Sequence, residues 1–293
     1  MKRIFQALCI IAIACFLISC SKEKDVKIEP NVELEGLEKV VLTIVDIEDG
    51  YFNAALPWAS PRHYKVIATL NEDLCEGDYV DVYYEELLET SENSFEITAK
   101  LVEPSDFELK EGVAYKPVIY LYPTEKTNVF VSLEYNGTLT HTYPSYLNGW
   151  NVTAYPDGTL IDDMGIEYPY LFWEGISNIK YDMSKGFCIP GNKTEEFLIE
   201  KLSFMGLNQK ELDDFIEFWI PFMKENPYNK ITFQYETYTE NAKLTVSPEV
   251  DSILRIYMVY QPLEEFIEIE EPQLDKFERT GFTLIEWGGS IIN

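Results

Sequence analysis

Residues 116–175 constrain the fold more than any other stretch: opening KPVIYLYP and closing YPYLFWEG, they break runs of β-branched and aromatic residues at three turn signals. Such residues are what a pleated, half-buried surface selects, so the stretch predicts a strand-rich core. Tyr120, Tyr122, Tyr143, Tyr146, Trp150 and Trp173 bring more aromatic mass than one small core face needs. The competing reading is an aromatic-walled groove beside Glu174, with Tyr146, Trp150 and Trp173 as candidate ligand-binding residues that stack a sugar ring or a peptide. Trp173 sits inside the apolar run 170–173 and is expected in the core. Trp150 follows Asn148-Gly149 and precedes Asn151, a turn-like setting that predicts exposure at the rim of a sheet.

Within this stretch, Asn136-Gly137 signals a hairpin between strands at 129–135 and 138–143, and Pro156-Asp157-Gly158 signals a second between 150–155 and 159–161. The period then changes. Residues 194–204 place Phe197, Leu198 and Leu202 on one stripe, with Gly206 as a stop. Asn208 with Glu211 three residues on marks a capping-box-like start for a second helix, which is expected to kink at Pro221 and end at Asn226-Pro227. Asp213, Asp214 and Glu217 fall on the polar side of that helix and read as a solvated face. Strands return at 231–235, 242–246, 254–260 and 282–287, with an exposed acidic bridge at 262–272.

Upstream, 37–103 holds five short strand candidates at 40–47, 51–56, 64–70, 79–84 and 95–101, separated by turn signals and by no helix-period segment. The layout resembles an OB-like barrel. OB folds bind oligonucleotides or oligosaccharides, but these strand faces lack the basic residues that a nucleic-acid backbone needs. The polar break 104–112, PSDFELKEG, is the expected linker to the second domain, 113–293, which carries the helical pair at 194–225. The predicted fold class is therefore mainly β (α+β): a small OB-like β-barrel, then an antiparallel β-sandwich-like domain with a two-helix insertion.

The amino terminus addresses location. Lys2 and Arg3 precede an apolar run, 4–18, too short to span a bilayer comfortably, which reads as a signal peptide ending at residue 19. The run closes in Leu17-Ile18-Ser19-Cys20, which resembles the bacterial lipobox, and that resemblance implies lipidation of Cys20 and a cell membrane anchor facing outside the cytoplasm. Residues 20–36, charged and aperiodic, form the tether. Cutting the leader removes Cys9 and Cys15, so Cys75 and Cys188 are expected as buried thiols, and a Cys/His zinc site is not expected. The formal charge of the chain is −28. Removal of Lys2 and Arg3 leaves 21 basic residues against 51 acidic ones, or −30, a field that repels nucleic acid and anionic headgroups and favours solubility.

Glu174 and Glu286, each beside a tryptophan, are the candidate catalytic pair, because glycoside hydrolysis uses two carboxyl groups with one pKa raised by an apolar setting. Asp157, Asp162 and Asp163 are candidate calcium ligands on a β turn, although their spacing matches no EF-hand loop. No nucleophile elbow, phosphate-cradling glycine loop or dinucleotide fingerprint is present. From residue 116 onward the phrases KPVIYLYP, YLFWEG and EWGG resemble those of a family of uncharacterised extracytoplasmic proteins, which implies a shared fold and no known activity. The expected function is a non-enzymatic surface lipoprotein that binds a cell-envelope glycan or protein and needs no cofactor. A carbohydrate-active enzyme using the two glutamates is the alternative.

Overall fold

The computed structural model describes residues 37–55, 63–68, 74–75, 79–91, 94–105 and 109–292. The leader, the tether and Cys20 lie outside these described residues. Five strands, β1 (Glu38–Glu48), β2 (Tyr51–Ala55), β3 (His63–Ile67), β4 (Tyr79–Ser91) and β5 (Ser94–Pro104), close a barrel in the order β1-β2-β3-β5-β4. Only the β3–β5 pair among them is parallel. Strand alternation sends Leu42, Ile44, Phe52, Val66, Val80, Val82 and Ile97 inward, where they form a core of their own.

Downstream strands are β6 (Val113–Tyr122), β7 (Thr127–Tyr135), β8 (Thr138–Tyr143), β9 (Trp150–Ala154), β10 (Leu160–Asp162), β11 (Glu167–Tyr168), β12 (Leu171–Ile176) and β13 (Phe187–Pro190). Helices α1 (Thr194–Met205) and α2 (Gln209–Met223) follow, then β14 (Tyr228–Gln234), α3 (Glu236–Asn241), β15 (Ala242–Ser247), β16 (Ser252–Leu263) and β17 (Thr283–Ile291). Seven strands form one sheet, β13-β14-β16-β17-β6-β12-β8, and five form another, β11-β10-β9-β7-β15. The larger sheet is covered on both faces. Phe215 of α2 meets Trp287 of β17 on one side, and Tyr135 of β7 meets Trp173 of β12 on the other.

This layering explains the aromatic density of residues 116–175: two interfaces need filling, and β17 is buried at every position. It also explains the glycines of the EWGG phrase. A Cβ on Gly289 would stand 2.7 Å from the Trp219 ring of α2, and one on Gly288 would stand 2.9 Å from Pro117 of β6.

Two expectations change at the level of elements. Asn136-Gly137 does not close a hairpin, because β7 pairs with β9 and β15 while β8 pairs with β12 in the other sheet. The turn carries the chain from one layer to the next. Leu109, within the expected linker, is buried in the main core, and Lys110 N–H donates to Tyr115 Oη at 2.7 Å. Cys75 and Cys188 are not bonded to each other.

Candidate functional site

Two clusters of ionisable groups flank the seven-stranded sheet, and each contains one glutamate of the expected catalytic pair. Arg255 of β16 and Glu286 of β17 are register partners in the parallel pair. Arg255 Nε donates to Glu286 Oε2 at 2.5 Å, Trp173 Nε1 donates to Oε1 at 3.3 Å, and the guanidinium lies 4.7 Å from the Tyr238 ring centre. Glu286 is fully buried. Trp287, its neighbour in sequence, faces α2, so Glu286 faces the five-stranded sheet.

Glu174 belongs to the other face. It is 7% exposed, its Oε1 has no hydrogen-bond partner among the described residues, and burial pushes its carboxyl up to about 8 against a backbone hydrogen bond from Lys116. Lys116 is itself 2% exposed, with its ammonium 5.8 Å from the Tyr170 ring centre, 5.4 Å from that of Phe218 and 5.7 Å from that of Trp287. Burial lowers its pKa to about 8, partly offset by Asp214, Glu217 and Glu174. Asp214 accepts a hydrogen bond from Tyr120 Oη at 2.7 Å, so this part of the expected solvated face of α2 anchors the helix to the sheet.

The paired-carboxylate reading is therefore corrected: Glu174 and Glu286 are buried on opposite sides of one sheet and do not flank a common cleft. The groove reading for the aromatics is corrected too. Trp173 is fully buried and Trp150 is 2% exposed, with its indole N–H donating to the Pro144 carbonyl at 2.8 Å. The turn residues around Trp150 bend the backbone, but β9 still directs the ring inward. Tyr146 packs edge-on against Trp150 at 4.7 Å and bonds through its hydroxyl to the Leu133 backbone.

The candidate calcium ligands do not converge. Asp162 accepts from Met164 N–H and Ile166 N–H at 2.9 Å each and from Tyr168 Oη at 2.9 Å, while Asp157 accepts from Thr159 N–H at 3.0 Å. These carboxylates hold their own turns. Among the described residues no group of three or more His, Cys, Asp or Glu side chains could hold a metal ion.

A cleft among the described residues opens to solvent, and its lining is mainly polar. The chain leaves β12 at Ile176 and crosses to β13, while α3 follows directly on β14. Between these segments lies an open cleft of about 730 Å³ lined by Asn136, Thr138, Ile176, Ser177, Asn178, Lys180, Thr237 and Asn241. A second depression of about 280 Å³, bounded by Asp182, Lys185, Gln234, Tyr235 and Glu236, shares Thr237 with it. Together they form a trough. Its walls are tied down: Asn136 Nδ2 donates to Asn241 Oδ1 at 2.8 Å, Asn136 N–H to the Asn241 carbonyl at 2.7 Å, and Gln234 Nε2 to the Asp182 carbonyl at 2.8 Å. Ser177 N–H donates to the Gly112 carbonyl at 2.8 Å.

Nothing in the spacing along the chain marks this trough. The residue pattern places Tyr235 last in a strand at 231–235, whereas β14 stops at Gln234 and Tyr235 begins the turn into α3. The usable signal is the change from the β-forming residues that end at Ile176 to Ser177-Asn178, which marks where the chain emerges from the core.

No family model matches the chain. No solved structure matches it either. Over 67 residues the chain is 51% identical to an uncharacterised protein encoded in the bglA 3' region of Butyrivibrio fibrisolvens, a match that covers 22% of this chain and 69% of that protein. By that identity and coverage, the chain belongs to the family of the Butyrivibrio fibrisolvens protein.

Proposed function

We propose that this chain is a lipid-anchored, extracytoplasmic binding module that presents its trough to a cell-envelope polymer or protein and carries out no reaction of its own. The observation that supports binding best is the contrast between the two kinds of polar group. The ionisable clusters around Lys116 and Glu286 are enclosed in the core, whereas the larger open cleft is lined mainly by amides and hydroxyls, with Lys180 as the one charged side chain in its lining. Amides and hydroxyls recognise and orient a ligand; an acid and base poised for proton transfer would need to reach it.

The leader supports the location. A positive start, an apolar run and Ser19-Cys20 occur in the order that lipid attachment requires. Among the described residues no helix is long and apolar enough to cross a membrane. The experiment is expression of the full gene in a bacterium, comparing wild type with Cys20→Ala. Wild type should remain with membranes and partition into detergent, and the variant should be retained unprocessed or released. Several acyl chains acting together hold a protein far more firmly than one, so the difference should be large. Identical soluble behaviour of the two proteins would remove the anchor.

A further inference from the structure

We propose that the trough binds an uncharged oligosaccharide chain, with Tyr235 as the stacking platform and Asn178 and Thr237 as the hydrogen-bonding wall. The assignment rests on the reading of the chain as a binding module and gives that module its ligand class.

Four features of the trough favour this class. Tyr235 is 56% exposed at the lip of the smaller depression, so its ring is free to take the apolar face of a pyranose. The larger cleft is lined by three asparagines, a serine and two threonines. Asn136 and Asn241 are bonded to each other, which leaves the Asn178 amide to offer a donor and an acceptor side by side, a match for neighbouring sugar hydroxyls that both donate and accept. Charge is low locally: Lys180 and Lys185 stand against Asp182, Glu236 and the Glu270 to which Lys185 is bonded, a net of −1. In a chain of net charge −28, this nearly neutral surface gives an ionic ligand no dominant partner.

The fourth feature is position: Thr237 lines both depressions and lies two residues from Tyr235, so a chain of rings stacked on Tyr235 is led past Thr237 toward the larger cleft.

The test uses the full lipidated chain in detergent micelles, titrated calorimetrically with cellohexaose, xylohexaose and N-acetylchitohexaose. A polygalacturonate oligomer and a chitosan hexamer serve as charged counterparts, and an uncharged Gly-Ser-Asn peptide pool as the peptide arm. At least one neutral hexasaccharide should bind with Kd below about 5 mM, and neither charged oligomer should bind more tightly. Tyr235→Ala should weaken that binding about tenfold, whereas Tyr235→Phe, which keeps the ring, should stay within about threefold. Near-ultraviolet circular dichroism identical to wild type should accompany Tyr235→Ala, because the site is exposed. Sugar binding that Tyr235→Ala leaves unchanged would overturn the trough as its location. Binding of the peptide pool or of a charged oligomer, with no neutral sugar bound, would overturn the neutral-sugar assignment while the binding-module reading stands. Binding of none of these would overturn both.

Discussion

Lys116 stands in the left-handed region at φ 54° immediately before Pro117, a place where a β-carbon and a following proline are both unwelcome. Such a conformation costs on the order of 1–3 kcal/mol and persists only where the surroundings over-determine it. Here three rings enclose the ammonium, and its backbone N–H serves the buried carboxyl of Glu174. The pair makes a pH prediction. Burial raises Glu174 from its ordinary 4.5 to about 8, so between those values the folded chain keeps a proton that the unfolded chain has released. Stability from this group is therefore intact below about pH 4.5 and falls as pH rises to about 8, by about 1.4 kcal/mol per pH unit at most. Lys116, lowered from 10.5 to about 8, acts in the opposite sense: from about 8 to 10.5 the unfolded chain holds the extra proton, and stability recovers. Urea unfolding across pH 5–10 should show a minimum near pH 8, and Glu174→Gln should flatten the falling limb. An unchanged limb in the variant would assign the pH dependence to other groups.

At the scale of elements, α2 shows how far local signals reach. Asn208 and Glu211 form the capping box that their spacing predicts, with Asn208 Oδ1 accepting from Glu211 N–H at 3.0 Å and Glu211 Oε2 accepting from Asn208 N–H at 2.9 Å. The sequence could not indicate that Arg279, from the segment leading into β17, would bind the same buried carboxylate. Asn208→Ala should cost about 1 kcal/mol, the usual loss for an N-cap. Arg279→Ala should cost more, about 1.5–3 kcal/mol, because it strips a charged partner from a carboxylate with no exposed surface. Guanidinium unfolding of the two variants checks the order, and a larger loss for Asn208→Ala would reverse this account. The Asn136-Gly137 turn shows the opposite limit. Its chemistry announced a reversal correctly, but which strands pair across a turn depends on partners elsewhere in the chain, and β7 and β8 found theirs in different sheets.

Across the whole molecule, apolar burial falls into two clusters, one inside the barrel and one running from Leu109 to Ile291. The barrel leans on the far end of α2, where the rings of Tyr79 and Phe222 stack at 5.8 Å and burial pushes Tyr79 up to about 12. Limited proteolysis is expected to cut first in the polar segment after Pro104, and on the amino-terminal side of Leu109, whose side chain is held in the larger core. Two resistant fragments should result. First cuts within β7 to β12 would mean that the barrel and the layered sheets open as one unit.

Sequence alone determined the kinds of element and their order: period-2 runs of aromatic and β-branched residues became strands, the 3.6-period stripes of Leu198, Leu202, Phe215 and Trp219 became buried helix faces, and five short strands closed a barrel. These signals are local, carried by propensity and by side-chain spacing along one segment. Only the tertiary structure decided that Glu174 and Glu286 lie on opposite faces of a sheet, that Trp150 turns inward, and that Ser177-Asn178 meets Thr237 across an open trough. Those outcomes depend on register, on layer order and on which strands become neighbours, and each is set by packing between segments far apart in the chain.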